Sequence, residues 1–503
     1  MKKNFLYIAK HSFVYSIGTA SLKFGGIVLL PLYTGYFSLE EFGLLSLFLT
    51  TITFGTQVLM LGQGDSIVRY NNDAAYFETR KSMFFSLILF MTLLLTIMSV
   101  VGITSTYLLR NVFEFLYEYQ LHINITIITT AITIINKLFA NKLRASEKSF
   151  QYTLTHILKL AVIIIFSFYS LLVLNMGIEG VLYAYLLSEI FTFAVLIFPM
   201  IKEMEFKYSR QMVLETMKFG IPLSFALIAG TILTTSDRFI LNHISGAAEL
   251  GLYDLGYRVA SLLSMIVIMP LTLTLYPVIF KMYKQEGDKD YYVRIHKFMA
   301  VILVWIGLGV SLIGKEIIEI LAKGADYYPA EGVIPILVVS IVFVGMTWAV
   351  SIGMNLSGKT KNIAVNAAIC AAINIVLNFL LIPYWGMYAA AYNTVLSLVI
   401  LYILYTLNAN KYYRIDYNHS VLIITLMWFL LYYYVGSLVS FNSFIIDVGI
   451  KFALFLSFPI VIFFMKIFDK EEKQFIKRSL RKLNKPSLIL SMIKEKSSLN
   501  DKD

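Results

Sequence analysis

Apolar stretches of about 20 residues recur along nearly the whole chain, and about 20 residues is what an α-helix needs to cross the hydrocarbon core of a bilayer. Fourteen are read: 8–36, 42–62, 82–108, 119–142, 153–175, 180–201, 215–241, 252–279, 297–321, 333–356, 362–383, 387–408, 419–437 and 443–466. In lipid every backbone amide and carbonyl must be satisfied within the chain, so segments of this length are predicted to be helices. A β-barrel would show alternation at half the length. With 58% hydrophobic and 15% charged residues, the 503-residue chain carries more apolar surface than a soluble core could hide. The expected fold class is an all-α integral membrane protein.

The second half of the chain echoes the first, some 208 to 211 residues on. Glu41-Phe42-Gly43-Leu44 follows the first apolar segment, and Glu249-Leu250-Gly251-Leu252 follows the seventh. Ser146-Glu147-Lys148-Ser149 closes the fourth, and Ser357-Gly358-Lys359-Thr360 closes the tenth. Gly177 and Tyr183 open the sixth as Gly386 and Tyr392 open the twelfth. Six spans return the chain to the side it left, so two six-helix lobes are expected as parallel repeats about an axis along the membrane normal, a plan of secondary transporters. The expected division is 1–205 and 206–410 for the lobes, 411–467 for an appended pair of spans, and 468–503 for a basic tail. The tail spaces Phe468, Phe475, Ile476, Leu480 and Leu483 among lysines and arginines, as an amphipathic helix on an anionic leaflet would; a tail that merely obeys the topology rule fits equally.

Charge orients the chain. Of its 42 lysines and arginines, 34 fall in one set of alternate connections and the termini, and three (Arg110, Lys315 and Lys323) fall in the other set. The positive-inside rule then predicts cytoplasmic N- and C-termini and explains the net charge of +11 without nucleic-acid binding. The first apolar run is too long for a signal peptide and lacks a small-residue cleavage site, so it is expected to be a retained helix. The single Cys370 excludes an intrachain disulfide.

One motif misleads. Gly353-Met354-Asn355-Leu356-Ser357-Gly358-Lys359-Thr360 matches the phosphate-binding pattern G-x-x-x-x-G-K-T letter for letter. Such a loop works between a strand and a helix of an α/β domain; here it follows an apolar span, and a short basic turn is expected instead. The histidines are scattered, no cysteine cluster or catalytic signature is present, and neither a metal nor a cofactor is expected.

Ionisable residues inside spans are costly, about 3 kcal/mol each at the bilayer centre, and each is a functional candidate. Lys23 lies near the middle of the first span, too deep to snorkel. Asp237 and Arg238 lie in the seventh; adjacent on a helix, their side chains leave about 100° apart and are not expected to pair side by side. Asp254 and Arg258 in the eighth, four apart, suit a private ion pair. Arg69 lies at the cytoplasmic end of the second span, Lys159 near enough to the end of the fifth to snorkel, and Glu189 in the sixth without an evident partner. The tally leans cationic, which suits an anionic cargo better than a cation.

These residues resemble a known family. The turns at Glu41-Phe42-Gly43 and Glu249-Leu250-Gly251-Leu252-Tyr253, the run Ser236-Asp237-Arg238-Phe239-Ile240-Leu241, Gly358-Lys359-Thr360-Lys361, and Asn374-Ile375-Val376-Leu377-Asn378 leading to Pro383 and Gly386 look like the bacterial polysaccharide flippases (Wzx type). Those belong to the multidrug/oligosaccharidyl-lipid/polysaccharide exporter superfamily. The resemblance covers essentially the whole chain. It implies a V-shaped central cavity between the lobes, lined by spans 1, 2, 7 and 8, and a non-enzymatic role in the bacterial cytoplasmic membrane. It further implies movement of polyprenyl-diphosphate-linked oligosaccharide to the outer leaflet by alternating access, alongside polysaccharide polymerase and other assembly proteins. Lys23, Arg69, Asp237, Arg238 and Arg258 are the expected substrate-binding residues, with Glu189 and Asp237 as candidates for proton or ion coupling. The alternatives are a lipid II or sporulation-type flippase, a cation-coupled multidrug antiporter of the same superfamily, and a membrane polymerase or glycosyltransferase. The first helices of the lipid II branch look richer in arginine than span 1 here.

Overall fold

The computed structural model describes Gly18, Ser21 and residues 24–439, 441, 443–465 and 467–474. Lys23, and the tail from Phe475 onward with most of its amphipathic pattern, lie outside the described residues. Two compact units are present, Met1–Asn418 and His419–Asp503.

Among the described residues of the first unit the regular elements are all helices, as segments that cannot hydrogen-bond to lipid must be. Its main helices are α1 (Phe24–Tyr36), α2 (Leu39–Leu59), α3 (Gln63–Asn72), α4 (Arg80–Leu109), α5 (Gln120–Ala145), α6 (Ser149–Leu172) and α7 (Gly177–Ile201). They are followed by α8 (Arg210–Ser245), α9 (Ala247–Met282), α10 (Asp288–Leu312), α11 (Ile334–Val350) and α12 (Thr360–Tyr412). In the second unit α13 (His419–Ser437) and α14 (Phe444–Phe464) pack on each other, with Ser457 Oγ 3.2 Å from the Tyr432 hydroxyl. Among the described residues twelve helices are long and apolar enough to cross a membrane. The fourteen segments read from the sequence differ from these in two places. The first is described only in its second half, and α12 holds two segments in one helix of 53 residues.

α12 is a hairpin. Gly386 leaves helical geometry (φ 51°, ψ −132°), and residues on either side of it meet in antiparallel register. Asn393 Nδ2 donates to Asn378 Oδ1 at 3.0 Å, and Asn408 Nδ2 donates to Asn366 Oδ1 at 3.1 Å. Only glycine fits at position 386: its φ is left-handed, and a Cβ would overlap the Glu249 carboxylate, which accepts the Met387 amide at 2.8 Å.

The sequence echo is a structural repeat. The phosphate-loop look-alike is a helix stop common to both lobes. Gly358 (φ 67°) and Glu147 (φ 56°) are both left-handed. The next amide reaches back five residues in each lobe, Lys359 to Met354 O and Lys148 to Leu143 O, both at 2.9 Å. Those are bonds of a Schellman cap, which satisfies helix-end carbonyls and cradles no phosphate.

Candidate functional site

The lobes meet at both ends of a seam. At one end α2 crosses α9 so closely that a Cβ on Gly43 would overlap the Ala247 carbonyl. Reciprocally, a Cβ on Gly251 would lie 2.6 Å from the Leu39 carbonyl oxygen. Each contact is the other moved 208 positions along the chain, as an isologous contact about a two-fold axis requires. The Tyr327 hydroxyl donates to the Phe37 carbonyl at 2.8 Å beside it. At the other end α3 meets the start of α8: Gly62 abuts the Gly220 backbone, Ser66 Oγ donates to Thr216 O at 3.1 Å, and Arg69 lies 4.2 Å over the Phe219 ring.

Between the crossings lies a cavity of roughly 570 Å³. Hydroxyls dominate its polar lining, with Thr50, Thr53 and Thr56 along α2, Thr129 and Thr133 on α5, and Ser261 and Ser264 on α9. Ser264 opens a π-helical turn, Ser264–Ile268, just before Pro270. Such turns relieve a helix that has lost an amide to proline, and they recur at functional sites.

The α8–α9 wall carries a desolvated ion network. Arg238, 4% exposed, and Arg258 both give their Nε–H to one carboxylate, Asp254, at 3.2 and 2.7 Å. Asp237 lies behind them, 1% exposed, accepting from the Tyr253 hydroxyl and from Thr394 Oγ1 at 3.4 Å. A ladder of amides backs it, from Ser236 through Asn374 and Asn378 to Asn393, tying α8 to α12 with bonds of 3.0–3.2 Å. Arg258 also reaches across the seam, donating to the Gly26 carbonyl of α1 at 3.3 Å and lying 5.6 Å over the Phe42 ring.

Two expectations change here. Arg238 Nη1 does come within 3.4 Å of Asp237 Oδ1, because the long guanidinium arm folds back along the helix to a carboxylate that also accepts the Arg238 amide at 2.9 Å. The Asp254–Arg258 pair forms but is not private, since Arg238 shares the same carboxylate.

The opposite wall, on α5, α6 and α7, is built differently. Glu189, 3% exposed, has a full set of partners: Lys159, the Thr133 hydroxyl at 2.7 Å and Asn136 Nδ2 at 2.7 Å. Lys159 therefore does not snorkel to the interface; it turns inward because a buried carboxylate offers more than headgroup water. Lys137, inside the segment 119–142 but not singled out there as an intramembrane charge, lines this wall two turns before the C-terminal end of α5. The residue is exposed to the cavity space. Its signal was present in Ile134-Ile135-Asn136-Lys137-Leu138-Phe139, a charge with apolar neighbours on both sides.

Of the six residues expected to bind or couple, Arg238, Arg258 and Glu189 line the cavity, and Asp237 sits directly behind Arg238. Arg69 does not join them: it is exposed on α3, stacked on Phe219 at the crossing. Lys23 lies outside the described residues. Among the described residues no group of acids, histidines and cysteine could hold a metal ion.

Comparison with known proteins gives the fold a context. The chain is similar to the lipid II flippase MurJ in its inward closed conformation, with a TM-score of 0.73 at 17% identity over 90% of this chain and 99% of that one. It is similar to the Vibrio cholerae MATE transporter VcmN, with a TM-score of 0.60 at 14% identity over 81% and 98%. A MOP superfamily transporter from Pyrococcus furiosus gives 0.58 at 14% identity over 84% and 95%. No curated protein matches by sequence. The family model described as "Polysaccharide biosynthesis protein" matches residues 8–283, more than half of the chain. The chain belongs to the polysaccharide biosynthesis protein family, a multi-pass membrane protein with the fold of the MOP superfamily transporters.

Proposed function

We propose that this protein is a flippase that carries polyprenyl-diphosphate-linked oligosaccharide from the cytoplasmic to the outer leaflet of the bacterial inner membrane, for O-antigen, capsule or exopolysaccharide assembly. The observation that carries the reading is the interlobe cavity, hydroxyl-rich and holding one more cation than it holds acids once Asp237 is counted: Lys137, Lys159, Arg238 and Arg258 against Glu189, Asp254 and Asp237. Hydroxyls suit sugars, and cations suit a diphosphate. Family membership supplies the polysaccharide context.

With both termini cytoplasmic, as the charge distribution favours, the Gly62–Gly220 crossing faces the cytoplasm and the Gly43–Gly251 crossing faces outward. The headgroup enters when the inner crossing parts, and the prenyl chain stays in lipid. The lobes rock about their two-fold axis, and the outer crossing then releases the glycan. An inside-negative potential favours outward passage of each negative charge by about 2.3 kcal/mol per 100 mV. Arg238 and Arg258 face the headgroup, Lys23 serves the same end from span 1, and Arg69 acts at the mouth through the crossing it braces. Glu189 and Asp237 are the candidates for ion coupling. Polymerase and other assembly proteins would take the cargo on.

The likeness to MurJ keeps lipid II as a second cargo. Every intramembrane acid named here is already held by a cation, which favours an anionic cargo over a drug cation. The test is deletion of the gene followed by analysis of lipid-linked glycans. Accumulation of the diphosphate-linked oligosaccharide on the inner leaflet, reversed by the wild type, supports the reading. Unchanged glycan together with lost drug resistance would sink it, and accumulated lipid II would replace the cargo.

A further inference from the structure

We infer that Lys137 sets the sign of the cavity's charge and thereby selects a diphosphate headgroup over an uncharged one; the inference rests on the flippase reading above. The other ionic groups around the cavity cancel by direct bonding. Arg238 and Arg258 share Asp254 through their Nε edges, and Asp237 holds Arg238 from behind. Lys159 is bonded to Glu189. Two arginines and a lysine are thus matched by three acids, each within ion-pair distance.

Lys137 is different. Among the described residues its ammonium makes no hydrogen bond and no ion pair, yet the residue stands in a helix that spans the first lobe and is exposed inside it. The charged and titratable groups around it are Lys159, Glu189 and, across a smaller cavity of roughly 70 Å³, His156. Glu189 is the one acid in reach, and both its oxygens are taken, Oε1 by Lys159 and Thr133 and Oε2 by Asn136. Lys137 lines both cavities, so its flexible stem can swing between them.

An ammonium without an acid is costly in a membrane-spanning wall, and such groups mark the path of an ion or substrate. Lysine also suits a cargo that must leave again. It meets phosphate as a rotatable point charge, whereas the arginines of the facing wall are already tied through their Nε edges to Asp254. The cavity therefore presents fixed, neutralised arginines on one side and one mobile, uncompensated cation on the other.

The test uses the full-length protein in detergent micelles and native mass spectrometry with three lipids of equal chain length: a polyprenyl diphosphate, the monophosphate and the alcohol. Wild type should prefer the diphosphate to the alcohol by at least about tenfold. Lys137→Gln should lower that preference about tenfold while binding the alcohol as before, and Lys137→Arg should retain most of it. If glutamine impairs folding, Lys137→Met replaces it, keeping the length of the stem. A Lys137→Gln protein that keeps the wild-type preference overturns the inference and leaves the flippase reading standing. A wild type with no preference for the diphosphate overturns both.

Discussion

The two walls of the cavity carry similar residues to different ends. On α8 and α9, four charges close on themselves, two guanidiniums around Asp254 with Asp237 behind, all but Arg258 nearly removed from water. On α5, α6 and α7, one buried carboxylate satisfies Lys159 and leaves Lys137 in the open cavity. A closed network in a low-dielectric wall is rigid and expensive to break, whereas an open cation is cheap to remove and changes only what the cavity attracts. The comparison teaches that counting charges within spans does not identify the ones left open to the cavity. Pairing decides that.

The largest expected effect is on the closed wall. Asp254→Ala leaves Arg258 without an acid and Arg238 with Asp237 alone, and should destabilise the protein by about 3–5 kcal/mol in micelles, with loss of transport. Urea or thermal unfolding followed by tryptophan fluorescence measures it. Glu189→Ala strands one lysine, whose flexible stem lets the ammonium turn to cavity water, and should cost less, about 1–3 kcal/mol. Equal losses for the two substitutions would erase the distinction between the walls.

The seam gives a test of symmetry. Gly43→Val and Gly251→Val each push a side chain into the backbone of the facing helix, and each should cost about 1–3 kcal/mol and part the crossing. Because the contacts are reciprocal, the two variants should expose a cysteine placed at Ala247 or Leu39 to thiol reagents alike. Cys370, the single native cysteine, is buried and gives little background. A strong effect from one variant and none from the other would show that the two-fold relation does not govern the crossing.

The smallest effect belongs to a connection outside the spans. Burial pushes the Glu203 carboxyl up, but Lys148 at 2.6 Å and Lys142 at 3.9 Å outweigh it and hold its pKa below the ordinary glutamate value. A depressed folded-state pKa stabilises above the unfolded value, near pH 4.3, and the gain disappears as pH falls through the folded value. Glu203→Gln should therefore cost up to about 1 kcal/mol at neutral pH and nothing in more acid solution. Melting temperatures of wild type and variant compared across that range check it, and a gap that persists in acid would contradict it.

Much of the fold was legible in the chain. Segment length and apolarity located the helices, and the 208-residue echo located the repeat, down to Gly43 and Gly251. The look-alike at Gly353–Thr360 could be set aside from its context, and its Schellman geometry, shared with Glu147, explains why the letters recur. The site was legible in part. Arg238, Arg258 and Glu189 were readable as charges inside apolar runs; Lys137 lies inside the segment 119–142 too, but near its cytoplasmic end, where hydropathy does not distinguish a charge facing the cavity from one facing water. Arg69 was readable as a charge near a span end, but its stacking on Phe219 could not be read, because that ring comes from the other lobe.

The sequence by itself determined that this chain crosses a bilayer many times as two related bundles, because backbone hydrogen bonding in lipid permits little else and periodicity survives in the residues. Tertiary structure alone decided which charges are partnered. An ion pair such as Arg258 with Asp254 can be guessed from a spacing of four, but Arg238 joining it, Lys159 turning to Glu189 and Lys137 left facing the cavity depend on helices far apart in the chain. Their approach is set by packing, and electrostatics at a few ångströms follows from it.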